Sequence, residues 1–150
     1  MDSCDKEKER KEALYRLILD VTNRTTYFSA VNNITLTKVT DDCAEGELAV
    51  TVHSLNPHGI VHGGCLATLA DTVAGAAVGA HRGYCVTLNY AMNFLAPAAG
   101  TKIRCVATPQ KVGNTVCVYG CVLTDDQENR VATGSFTFIV VEKDRYRKPE

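Results

Sequence analysis

Between residues 65 and 80 the chain carries a single carboxylate, Asp71, set among Leu66, Leu69, Val73, Val78 and a run of alanines and glycines. A carboxylate in apolar surroundings is costly unless it is paired, hydrogen-bonded or put to chemical use. Asp71 is therefore the first candidate for a general base, and its desolvation would raise its pKa toward neutrality. The plainer alternative leaves it on a solvent-facing stripe with Thr68 and Thr72. Gly63 and Gly64 stand where the apolar segment begins. If that segment is a helix, their N–H groups lack intrahelical acceptors and face outward at the positive end of its dipole. With no side chain in the way, a carbonyl oxygen can approach them closely. That makes an oxyanion hole, whose donors are worth roughly 3 to 4 kcal/mol in acyl transfer. The competing reading is that the two glycines merely turn the chain into the helix.

Reach decides how these groups can cooperate. Gly63 and Asp71 are eight residues apart (71 − 63), which at a rise of about 1.5 Å places them about 12 Å apart along one helix. A carbonyl and the water attacking it are only about 3 Å apart. If both groups act, they come from two copies whose central helices run antiparallel about a two-fold axis. An isologous dimer of that kind holds two shared sites.

The elements that must position these residues follow from periodicity. Leu14, Leu17, Ile18 and Val21 fall at helical spacing and predict an amphipathic helix over 5–23, with its charged end (1–12) frayed. Ile34 and Leu36, then Leu48, Val50 and Val52 alternating with Glu47, Thr51 and His53, predict two half-buried strands. The length and alanine content of 65–80 favour a buried helix over a strand. Beyond it, Val86, Leu88, Tyr90, Met92 and Phe94 alternate with Thr87, Asn89, Ala91 and Asn93 up to a turn at Pro97 to Gly100. Residues 101–111 pair with 115–124 through a Gly113-Asn114 hairpin, and a last strand, 130–141, carries Phe136, Phe138 and Val140 on one face. The expected architecture is α+β, a single domain over 1–150. About five or six mostly antiparallel strands surround one central helix, with a second helix at the N-terminus.

Composition narrows the function classes. Lys and Arg (16) nearly balance Asp and Glu (17), leaving a formal charge of −1, too little positive surface for nucleic acid. The charged start and the expected lack of any uninterrupted apolar run of about 18 residues argue against a membrane protein, so a soluble cytoplasmic location is expected. Seven cysteines without a C-x-x-C pair read as small core residues in a reducing compartment. Cys117 and Cys121, four residues apart on a strand, are about 13 Å apart and share neither metal nor disulfide. His58 and His62 flank Pro57 and Gly59 in a loop and form no H-E-x-x-H pair, and no G-x-S-x-G elbow occurs.

The motif Asn56-x-x-Gly59-x-x-His62-Gly63-Gly64, then Ala67-Thr68-Leu69-Ala70-Asp71, Thr87-x-Asn89 and Asn93-Phe94-Leu95-Ala96-Pro97, resembles the PaaI-type hotdog thioesterases over about residues 30–141. The resemblance implies a hotdog fold, sites at a dimer interface, a homodimer or dimer of dimers, and hydrolysis of acyl-CoA to free acid and CoA without metal or cofactor. Asp71 would activate water or act as nucleophile, and Thr87 would orient the water. Gly63 would polarise the thioester carbonyl with help from Asn56, and His62 would fix the loop. Gly64 and Asn89 would line the substrate site. Relatives of this kind often carry basic residues where this chain has Ala96 and Asn114. Lys102, Arg104 and Lys111 are the candidates to hold CoA phosphates instead, the alternative being ordinary solvated strand positions. Aryl-acetyl or short to medium acyl groups are the expected substrates, bound near Tyr84, Tyr90 and the N-terminal helix. A hotdog enoyl-thioester hydratase and a non-catalytic acyl-CoA-binding protein remain the alternatives.

Overall fold

The computed structural model describes residues 3–142. Its helices are α1 (Ser3–Thr22), α2 (Phe28–Val31) and α3 (Gly63–Arg82). Its strands are β1 (Ile34–Val39), β2 (Ala44–Ala49), β3 (Cys85–Phe94), β4 (Lys102–Val112), β5 (Val116–Thr124) and β6 (Arg130–Val140). All neighbouring strands are antiparallel, in the order β1-β2-β4-β5-β6-β3, and the sheet wraps α3. This is the hotdog fold.

The apolar segment is a helix because alanine is the best helix former and nothing within it removes a backbone donor. At its start the Gly64 N–H donates to Nδ1 of His62 at 2.8 Å. It ends at Gly83, whose φ of 76° suits glycine and whose N–H closes on the Gly79 carbonyl at 3.1 Å. Leu66, Leu69, Ala70, Val73, Ala74, Ala76, Ala77 and Val78 of α3 are buried against the sheet. The approach is closest at Gly46 of β2, where a Cβ would stand 2.6 Å from Cγ2 of Val73. Among the described residues α3 is the one helix long and apolar enough to cross a membrane. This corrects the expectation that no segment reaches that length. The sheet here does the covering that lipid would do.

Two strands depart from their alternation. β2 stops at Ala49, because the Thr51 N–H leaves the ladder for Oγ of Ser54 at 3.2 Å and the chain turns into a short 3-10 helix, Val52–Ser54. Val52, expected inside, is 75% exposed. In β3, Thr87 lies opposite Phe138 and Asn89 opposite Thr137, so Leu88 is a bulge. Opposed residues share a sheet face, and a single extra residue exchanges the faces of everything beyond it. Thr87 therefore faces α3 together with Tyr90, Met92 and Phe94, whereas Asn89 lies on the opposite face with Thr137.

The helix α1 is unbroken from Ser3 to Thr22, including the charged turns expected to fray, and buries none of its residues fully. Tyr15, Ile18 and Leu19 pack against the core, and polar contacts add to their hold. The Lys11 ammonium lies 2.5 Å from Oδ2 of Asp41, and the Tyr15 hydroxyl donates to Oδ1 of Asp41 at 2.6 Å. Asn23 and Leu36 exchange two hydrogen bonds at 2.8 Å.

Candidate active site

Asp71 sits in the ninth position of α3, half-buried, on the stripe with Thr68 and Thr72 that the sheet leaves open. The solvent-stripe reading is thus right about the face. What it lacks is the partner: Oγ1 of Thr87 on β3 donates to Oδ1 of Asp71 at 2.6 Å. Among the described residues Oδ2 has no hydrogen-bond partner, and no ion pair involves this carboxylate. A carboxylate with one oxygen anchored and the other free is arranged to take a proton from a water.

Asp71 and Thr87 stand at one end of a cleft of about 640 Å³ between α1, α3 and the start of β3. Leu14, Leu17, Ile18 and Val21 form its α1 wall. Cys85 also lines the cleft, but burial pushes its thiol up to about 12, and the sulfur donates to the Gly75 carbonyl at 3.7 Å. A thiol so raised is no nucleophile near neutral pH.

At the start of α3 the two glycines divide their roles. Gly64's N–H is taken by His62, whereas Gly63's N–H has no hydrogen-bond partner among the described residues. One free donor remains where a pair was expected. Because Nδ1 of His62 accepts, its ring proton belongs on Nε2. The ring of Phe94 covers the glycine, with Cζ only 3.1 Å from where a Gly63 Cβ would be. Nearby, Oδ1 of Asn56 accepts from the N–H groups of His58 at 2.9 Å and Ile60 at 3.4 Å, which fixes the loop. The Asn56 amide NH₂ is left without a partner among the described residues and can donate to a ligand carbonyl.

The remaining candidates lie elsewhere. Asn89 is on the sheet face away from Asp71. Lys102 pairs with Glu47 at 2.8 Å, and Arg104 pairs with Glu45. Both lie on a strand three places from β3 in the sheet, about 14 Å away at ordinary strand spacing. Their side chains stand half-exposed on that strand, which also carries Lys111. Lys111 has no ion pair among the described residues. No group of three or more His, Cys, Asp and Glu side chains among them could hold a metal. Phe94 and Leu14 to Val21 are the neighbours of the site that periodicity alone did not assign to it, since their meaning depends on the bulge at Leu88 and on where α1 docks.

Gly63 and Asp71 share one unbroken helix, so the separation of about 12 Å stands. Within one copy the free donor and the free carboxylate oxygen are too far apart to act on one reaction centre.

Comparison with known proteins places the chain in a family. The family model described as "Thioesterase superfamily" matches residues 58–132, half of the chain, and Asn56 lies just outside that stretch. A protein of Deinococcus radiodurans named "Putative esterase" is 31% identical over 105 residues, covering 69% of this chain and 71% of that one. A hypothetical thioesterase protein of Streptococcus pneumoniae TIGR4, solved with coenzyme A, superposes with a TM-score of 0.69 at 28% identity, covering 73% of this chain and 86% of that one. The PaaI protein of E. coli, from the phenylacetic acid degradation operon, shares the fold with a TM-score of 0.77 at 21% identity, covering 86% and 96%. With an anchored carboxylate, a free glycine N–H and these likenesses together, the chain belongs to the thioesterase superfamily and is a thioester hydrolase.

Proposed function

We propose that the protein hydrolyses an acyl-CoA to free acid and CoA, using water activated by Asp71 at a site shared between two copies. The observation that carries this reading is the Thr87–Asp71 hydrogen bond of 2.6 Å at the mouth of an apolar cleft, with Oδ2 free. The water's oxygen bonds to the thioester carbon while Oδ2 takes its proton. The carbonyl oxygen, now negative, accepts from the N–H of Gly63 of the partner subunit. As the tetrahedral centre collapses, the C–S bond breaks and the thiolate leaves with the proton that Asp71 held.

A second copy is supported by β3. It is an edge strand, unpaired on one side, and Leu88, Phe94 and Leu95 on or beside it are 59%, 56% and 55% exposed. A long apolar edge is a template for pairing, and pairing β3 with its copy brings the two α3 helices side by side and antiparallel. The coenzyme A named with the Streptococcus pneumoniae thioesterase supports CoA as the carrier, with Lys111 the remaining basic candidate for its phosphates. Seven free cysteines suit a reducing compartment, the cytoplasm.

The test is release of free thiol from a saturated acyl-CoA, which a hydratase or a binding protein does not perform. Asp71→Ala and Asp71→Asn should lose about 10² to 10⁴ in kcat with an unchanged melting curve. Full turnover in a folded Asp71→Ala variant would remove the proposal.

A further inference from the structure

We propose that the cleft between α1 and α3 is the acyl-chain site and that it selects straight chains of about eight to ten carbons over short and aryl groups. This rests on the reading of the protein as an acyl-CoA hydrolase. The cleft is continuous with the Asp71 carboxylate, which among the described residues is the only charged side chain lining it. The hydroxyls of Thr22, Thr72, Tyr84 and Thr87 are the other polar groups of the lining, and the rest of it is apolar, so hydrocarbon is the occupant that fits most of its length.

Length follows from the helix. The α3 positions lining the cleft begin at Asp71 and end at Gly79, a span of about 12 Å at the helical rise. A zigzag of C–C bonds of about 1.5 Å advances about 1.25 Å per carbon, so the floor accommodates on the order of eight to ten carbons. Two glycines lie on that floor, each with a neighbouring side chain close by. A Cβ on Gly75 would stand 3.4 Å from Cε1 of Phe138, and one on Gly79 would stand 3.8 Å from Cδ1 of Ile18. Any larger residue at Gly79 reaches across to α1 and closes the far end. The opposite wall is Leu17, which is 57% exposed in this structure. An aliphatic chain seated between α1 and α3 covers it.

The test measures kcat/KM for butyryl-, octanoyl-, decanoyl-, myristoyl- and phenylacetyl-CoA. Each buried methylene should raise it about threefold to fourfold up to about ten carbons, with no further gain beyond. Gly79→Leu, which blocks the far end, and Leu17→Trp, a surface change that leaves the core alone, should each lower the decanoyl to butyryl ratio about tenfold. A flat chain-length profile, a preference for phenylacetyl-CoA, or an unchanged ratio in both variants overturns the assignment. If no acyl-CoA is hydrolysed, the hydrolase reading fails separately. Thermal stabilisation by decanoyl-CoA beyond that by CoA, lost in Leu17→Trp, would then still support the cleft, and its absence would overturn it.

Discussion

Thr87 and Asp71 are sixteen residues apart in the chain (87 − 71), yet their side chains meet at 2.6 Å across the gap between the edge strand and the central helix. The hydroxyl donates, so it fixes the carboxylate's orientation and leaves the outer oxygen to water. Thr87→Ala should lower kcat about tenfold, the worth of one hydrogen bond to a charged group. Thr87→Ser should retain most of it. Thiol-release kinetics on both variants decide the matter, and equal loss in the two would mean that the methyl, not the hydroxyl, matters.

Gly63 is bare for a reason other than turning. A methyl there would meet Cζ of Phe94 at 3.1 Å, so the ring must shift beside the free N–H. Gly63→Ala should lower kcat by about 10² or more with little change in melting temperature. If the variant is as active as the parent protein, the N–H does not bind the developing oxyanion.

His62 caps α3 through Nδ1. Removing the acceptor in His62→Ala should cost about 1 kcal/mol, or about 2 to 4 °C in Tm for a chain of this size. His62→Asn should recover part of it, because an amide oxygen can take the same N–H. A calorimetric series over the three proteins tests this.

The shared site proposed above would make activity depend on assembly. Leu88 stands on the free edge of β3, 59% exposed and outside the core, so Leu88→Lys should leave the fold intact. It should place like charges across the two-fold and yield a monomer without turnover. Light scattering together with kinetics checks both, and a fully active monomer would show that one chain suffices.

Asp41 links α1 to the β1–β2 turn. The Lys11 ammonium, then the Tyr15 hydroxyl, hold its carboxyl below the ordinary value. A depressed carboxylate stabilises the fold above its unfolded pKa, and that contribution is lost as pH falls through the lower folded value. Asp41→Asn should therefore melt lower than the parent protein near neutrality, and the gap should narrow below about pH 4. A gap that does not vary with pH would assign the loss to packing instead.

Much of this was legible from residue types alone. Glycines at 63 and 64 ahead of an alanine-rich segment with one acid define a helix, its start and its one carboxylate. The 1.5 Å rise then keeps Gly63 and Asp71 of one chain from meeting at one centre, because helical distance depends on residue count. Tertiary structure decided what periodicity cannot encode. The bulge at Leu88 turned Asn89 away from the site and brought Tyr90 and Phe94 to the face of Thr87, since one inserted residue reverses a period of two. Glu45 and Glu47 claimed Arg104 and Lys102, because cross-strand neighbours are distant in the chain. The docking of α1 over Gly75 and Gly79 made a cleft out of two surfaces that are each unremarkable in sequence. Such a cavity belongs to the space between elements, and only their packing creates it.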